Sequence, residues 1–366
     1  MKIRILTFHT PINYGAILQA YALQKYLKNN FPKADIQNID FKTEKHIKKY
    51  GLFIKIRKDI FYYFSYQLGV IFKYRTLMNK KNKFSEFLKT EFSLTSRYAS
   101  INDFLNSVPK ATHYIVGSDQ VFHPKSEYLK VFFLDFLKKD SKKIAYAPSF
   151  GMSNFNLELE SKLKSYLKDF DSLSCRENDG AEFISRVTRE EVPMVVDPVF
   201  LLTPNQWKKM AIEPNYNKKY IFIYDLNGGE NLIKIAKQIK KYTDYVIVCQ
   251  TQTPDENYNI DYQLYDLGPR EFVGHMLNAE YVVTDSFHGT AFSILFKKRQ
   301  FVYVARPKAS GRIISLMNLI DGKNRIYDNL ENLNFSKEEV LFEYDSKKVN
   351  STIELSKKYL LNSINK

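Results

Sequence analysis

The sequence predicts an α/β fold of two Rossmann-like lobes facing a cleft, with a helical, basic insertion in the first lobe. Three observations point there: a length beyond one core, a strand–helix alternation that runs through the chain twice, and one block that breaks it. At 366 residues the chain exceeds the roughly 250–300 residues at which a single hydrophobic core stops growing. Hydrophobic residues make up 44% and charged residues 26%, ordinary globular values that exclude a fibrous or disordered class. The first lobe is expected over residues 1–200, the second over 201–345, and a final amphipathic helix over 346–366.

The first lobe opens with an apolar, β-rich string at residues 2–8, followed by the loop TPINYG. Ala16, Ala20, Leu23 and Leu27 then recur at spacings of four, three and four, one face of a helix that ends near Asn30. A strand at 36–40 completes a β-loop-α-β opening, which calls for a parallel sheet. The same grammar resumes in HYIVGSD (113–119) and KIAYAPSFG (143–151), then in a helix over 157–170 and a short strand at 173–175. Pro193 and Pro198 bracket one more apolar stretch and mark a crossover between lobes.

The second lobe repeats the pattern. Strands are expected at 220–226, 245–249, 281–285 and 301–305, with helices at 230–242, 269–278 and 290–296. In such sheets ligands sit beyond the carboxyl ends of the strands, so the residues just after each strand are the ones to read.

Residues 45–90 stand apart. Twelve Lys or Arg face two acids, Asp59 and Glu86, so this block holds a net +10 of the chain's +15. Inside it the run at 61–72, FYYFSYQLGVIF, is uncharged and flanked by Lys and Arg, which suits a helix lying on an anionic membrane surface. A core-packed helical hairpin with solvated lysines explains it as well. The positive balance calls for an anionic partner, and no RRM, KH or helix-turn-helix signature interleaves with it, which argues against nucleic acid. Cys175 and Cys249 form no CxxC pair, so neither a disulfide framework nor a thiolate metal site is expected. The short apolar start reads as a first strand rather than a signal peptide, and no uncharged run reaches the roughly 18 residues of a membrane span. A cytoplasmic chain, at most peripheral to the inner membrane face, is expected.

Three strand-exit loops carry chemistry. In GSDQ (117–120), Ser118 and Asp119 leave a hydroxyl and a carboxylate at the sheet edge; a helix cap or a turn would use the same residues. In SCREND (174–179), Arg176 follows a strand, where it can grip phosphate or carboxylate or pair with Glu177 or Asp179. Cys175 beside it reads as a core thiol. In TDSFHGT (284–290), His288 lies where Gly289 is expected to open a helix. Helix N-termini favour anions, and imidazole suits proton transfer at neutral pH. A capping or core histidine is the plain alternative. His9 also follows a strand, and Arg306, Lys308, Arg312 and Arg325 offer further positive charge.

The ordered set NYGAILQAYAL (13–23), VGSDQVF (116–122), AYAPSFG (145–151), SCRE (174–177), VVDPVFLL (195–202) and TDSFHGTAFSI (284–294) resembles the polysaccharide pyruvyl transferase family, from about residue 3 to 326. That resemblance implies a GT-B-like fold. It also implies transfer of the enolpyruvyl group of phosphoenolpyruvate to a saccharide acceptor, lipid- or nucleotide-linked, as a pyruvate ketal with release of phosphate. No cofactor is implied beyond phosphoenolpyruvate as co-substrate. His288 matches the family's catalytic histidine and Arg176 the arginine that holds phosphoenolpyruvate; Ser118 and Asp119 match the first-lobe loop, with Asp119 as a partner in proton transfer. Asn13 and Gly15 match the opening loop, and Ser286, Gly289 and Arg312 complete the expected substrate contacts. Ser286-Phe287 stands where the simplest members carry a charged residue ahead of the histidine. A glycosyltransferase using a nucleotide sugar on the same scaffold is the main rival reading.

Overall fold

The computed structural model describes residues 1–10, 12–41, 63–137, 140–227, 229–251, 259–305, 311–331, 333–342 and 346–366, with side chains between 63 and 74 left aside. Two all-parallel sheets form the molecule. The first has strands β1 (Lys2–Leu6), β2 (Asp35–Asn38), β3 (His113–Val116) and β4 (Lys142–Ala145) in the order β2-β1-β3-β4. The second has β5 (Tyr220–Tyr224), β6 (Val246–Gln250), β7 (Tyr262–Leu264), β8 (Tyr281–Thr284), β9 (Arg299–Tyr303) and β10 (Ile326–Tyr327) in the order β10-β9-β8-β5-β6-β7. Central strands such as YIFIY and YVVT are buried at every position, as parallel strands covered on both faces must be.

Helices fill the faces. They include α1 (Tyr14–Asn30), α2 (Tyr63–Glu91), α3 (Leu157–Lys168), α4 (Asn178–Thr188), α5 (Glu230–Lys240), α6 (Pro269–Asn278), α7 (Phe287–Leu295), α8 (Gly311–Met317) and α9 (Lys347–Asn365). The last of these belongs spatially to the first lobe. Ser356 Oγ accepts from Val196 N at 3.0 Å, and Tyr359 OH donates to Ala145 O at 3.1 Å. His113 Nε2 lies 3.1 Å from Ile364 O, so this histidine is a structural tie.

Two expected strands differ from expectation. The segments at 173–175 and 193–198 make only single bridges, Ile144 with Ser172 and Cys175 with Met194. Pro193 and Pro198 lack the N–H that a longer ladder would need, and the chain passes from Asp197 into a short turn over Pro198–Leu201 instead.

The lobes are pinned together by an aromatic contact. Tyr14, from the first lobe, stacks on Phe272 of α6 at 4.4 Å and donates its hydroxyl to Leu267 O at 2.8 Å. The carboxyl-terminal half of α2 packs here too: Phe84 and Phe87 are buried, Lys83 pairs with Glu271 at 2.9 Å, and Glu91 pairs with Arg270. This part of the basic insertion is thus a buttress between lobes. The membrane-surface reading of the 61–72 run falls on residues and side chains outside the described set. Among the described residues, no helix is long and apolar enough to cross a membrane.

Replacing Tyr14 by Phe keeps the ring but leaves Leu267 O without its buried donor. A loss of about 1–3 kcal/mol is expected, read as a lower midpoint in urea unfolding.

Candidate active site

Asp197 lies at the centre of the site. It precedes Pro198 in VVDP and caps a short turn over Pro198–Leu201, its Oδ1 accepting from Val199 N at 3.1 Å. The other oxygen does different work. Asp197 Oδ2 accepts from Ser118 Oγ at 2.9 Å and from Arg176 Nη1 at 2.7 Å, and His288 Nε2 stands 3.5 Å away. Three segments, two from the first lobe and one from the second, therefore converge on one oxygen. Asp197 is 1% exposed. Burial would raise its carboxyl, but His288 and Arg176 outweigh that and hold it far below the usual carboxylate range.

Arg176 is buried as well, at 3% exposure, behind the cleft rather than lining it. Desolvation works against its charge, yet the Asp197 carboxylate more than compensates and its pKa moves upward. Its guanidinium lies 4.1 Å above the Phe287 ring, and Nη2 is 3.8 Å from Asp119 Oδ1. Nε and Nη2 lack hydrogen-bond partners. Orphaned donors on a buried guanidinium are costly, which points to a ligand that satisfies them.

His288 sits inside α7, not in the loop before it. Ser286 is the cap, its Oγ accepting from Gly289 N at 3.3 Å, so the helix starts at Phe287. The contact with Asp197 is long for a hydrogen bond, and the buried Nε2 has no partner at bonding distance. The ring's other edge faces α1: a Cβ on Gly15 would come within 2.0 Å of Nδ1. Glycine is required there because the imidazole occupies the space of a side chain.

Asp119 carries backbone strain. Its φ of 77° and ψ of −177° fall in a region essentially reserved for glycine. Hydrogen bonds from Val121 N and Ser149 N to its carbonyl, both 2.8 Å, hold it there. Arg312, on α8, stands 5.9 Å from the same Phe287 ring; burial and the nearby Arg176 lower its pKa. Glu177 lies below, its Oε1 accepting from Phe150 N at 2.8 Å and Ser149 Oγ at 3.0 Å, and burial raises its carboxyl.

Above the buried Asp197–Arg176 pair, His288, Asp119 and Arg312 border a cleft of about 240 Å³. Asn13, Asp119 and Gln120 line it from the first lobe, and Asn227, Asp285, Phe287, His288 and Arg312 from the second. A family model described as polysaccharide pyruvyl transferase matches residues 13–305, most of the chain and every segment that builds the cleft except α8. The chain belongs to the polysaccharide pyruvyl transferase family. A search of curated proteins finds none that matches. Among solved structures, a UDP-N-acetylglucosamine 2-epimerase from Rickettsia bellii aligns over 100% of this chain and 96% of its own, with a TM-score of 0.52 and 10% identity. The wall teichoic acid polymerase TagF aligns over 100% and 88%, with a TM-score of 0.51 and 11% identity. Likeness at that level shows the GT-B-like fold alone.

In this pyruvyl transferase the motif residues reach the same place with different exposures. His288, Asp119, Asn13, Ser286 and Arg312 border the cleft, while Arg176 and Ser118 support it from beneath. Gly289 is a packing residue, since a Cβ there would meet Thr284 Oγ1 at 2.5 Å. Arg325 is buried against the Phe342 ring at 3.6 Å, away from the cleft, and His9 sits beside Asp40 at 3.7 Å. Arg306 and Lys308 lie outside the described residues. Asp197, Gln120, Asn227, Phe287 and Asp285 were missed by reading sequence. An acid between two valines and a proline, in VVDP, was the available signal for the first.

Replacing Asp197 by Ala strands the Arg176 charge in a buried site, so the protein should lose about 3–5 kcal/mol in denaturant unfolding. Asp119→Gly should relieve strain and leave the unfolding midpoint equal or higher while pyruvyl transfer falls. Gly15→Ala forces the imidazole aside, and turnover should drop about 10²-fold in a protein whose circular dichroism is unchanged.

Proposed function

We propose that this transferase takes the enolpyruvyl group of phosphoenolpyruvate and closes it as a ketal over two hydroxyls of a saccharide, in building a cell-surface polysaccharide. The observation that carries the reading is the convergence of Arg176 and His288 on Asp197 Oδ2, at 2.7 and 3.5 Å, against a cleft that His288 and Arg312 border. Arg312, the orphaned Arg176 N–H groups and the amino terminus of α7 provide the positive field that a phosphate and a carboxylate need.

The chemistry balances with few groups. The methylene carbon of phosphoenolpyruvate gains one proton and becomes a methyl group. Both sugar hydroxyls lose theirs as their oxygens bond to the central carbon, and the C–O bond to phosphate breaks with hydrogen phosphate leaving. Asp197 faces Nε2 and counters the charge of an imidazolium, which leaves Nδ1 as the nitrogen that exchanges a proton with substrate. Asp119, across the cleft on a strained turn, serves the second transfer. Each transfer contributes about 10²–10⁴-fold if typical of general acid–base catalysis.

The test is to incubate the purified chain with phosphoenolpyruvate and a panel of lipid- and nucleotide-linked saccharides. Phosphate release matched by a mass gain on the sugar is expected, and His288→Ala should abolish both while phosphoenolpyruvate still protects the fold against heat. Turnover of a nucleotide sugar without phosphoenolpyruvate would overturn the reading.

A further inference from the structure

The cleft is polarised in a way that the donor does not explain. On the second lobe, β5 and β8 are neighbours in register, Tyr224 opposite Thr284, so the next residues, Asp225 and Asp285, leave the sheet side by side. Asp225 is 3% exposed and accepts from Asn227 N at 3.1 Å and Gly229 N at 3.0 Å, which makes it a brace for the turn. Asp285 is half-buried and borders the cleft. Its Oδ1 accepts from Leu226 N at 3.0 Å and its Oδ2 from Asn227 Nδ2 at 2.7 Å, so both oxygens are fixed in direction. Burial raises this carboxyl, and Asp225 adds to the rise.

A carboxylate accepts up to about four hydrogen bonds. Asp285 therefore keeps capacity for donors arriving from the cleft, and with Asp225 close by it repels any further anion. The phosphate and carboxylate of the donor are better answered by Arg312, which borders the same cleft. A ligand that meets Asp285 must bring hydroxyls and no negative charge.

We propose that Asp285, held by Leu226 N and Asn227, binds the hydroxyls of the acceptor, and that it selects a neutral polyol over an acidic sugar. The proposal rests on the pyruvyl-transfer reading and names the acceptor class of the same site. Asn227 supplies both a clamp on Asp285 and an exposed amide for a neighbouring hydroxyl.

The test titrates the phosphoenolpyruvate-loaded protein with a panel of neutral methyl hexosides and their matched methyl hexuronides, and repeats it with Asp285→Asn and Asn227→Ala. Neutral hexosides should bind the wild type and hexuronides should not. Both variants should weaken hexoside binding about tenfold or more, as expected for losing a hydrogen bond to a charged group, while phosphoenolpyruvate binding, measured alone, stays within about twofold. Equal binding of hexosides and hexuronides overturns the proposal, as does absence of binding by any neutral hexoside, or variants that weaken phosphoenolpyruvate and hexoside alike. If phosphoenolpyruvate fails to bind the wild type, the pyruvyl-transfer reading falls instead. Hexoside titration of the unloaded protein then still shows whether Asp285 recognises a polyol.

Discussion

One buried oxygen, Asp197 Oδ2, is the point on which the site depends. It takes a hydroxyl from the β3 exit, a guanidinium from the SCRE segment and faces an imidazole from the second lobe. A carboxylate so deep in the protein is stable because the Arg176 guanidinium answers it, and the guanidinium tolerates its own burial because the carboxylate answers it. Removing either leaves the other as an uncompensated buried charge. The pairing also leaves Nε and Nη2 of Arg176 without hydrogen bonds, with the Asp119 carboxylate 3.8 Å from Nη2.

That convergence requires the lobes to hold one spacing, because His288 comes from one and Asp197 from the other. The Tyr14–Phe272 stack and the closing half of α2 set the spacing with apolar contact and two ion pairs. Gly15, one residue after Tyr14, is where the imidazole meets α1. The residue that pins the lobes and the residue that admits the histidine are therefore adjacent in sequence, which couples inter-lobe packing to the position of His288.

Much of this was legible before the structure. Apolar strings followed by helical spacing marked β1, α1, β5, α6 and β8, because parallel strands covered on both faces leave unbroken apolar runs and helices a 3.6-residue period. The strand-exit rule located Ser118, Asp119, Arg176 and His288 for the same reason. Asp197 was read as part of a crossover, since one acid among prolines has no periodicity to betray it. Arg176 was expected in the open cleft, but its depth follows from a partner 21 residues away that sequence does not announce. His288 was placed in a loop because Gly289 resembles a helix boundary; the cap is Ser286, and the glycine answers to Thr284 across the strand–helix turn. Asp285 and Asn227 were missed because their meeting depends on the register of two strands about sixty residues apart.

The central claim is that Arg176 and His288, joined through Asp197, address a single donor in the cleft. A crystal structure of the protein with phosphoenolpyruvate bound tests it most directly. The donor should lie between the lobes, with an oxygen of its phosphate or carboxylate within bonding distance of Arg312, another reaching Arg176 Nη2, and Asp197 still between Arg176 and His288. Phosphoenolpyruvate found outside this cleft, or a bound state in which Asp197 has parted from both Arg176 and His288, would contradict it.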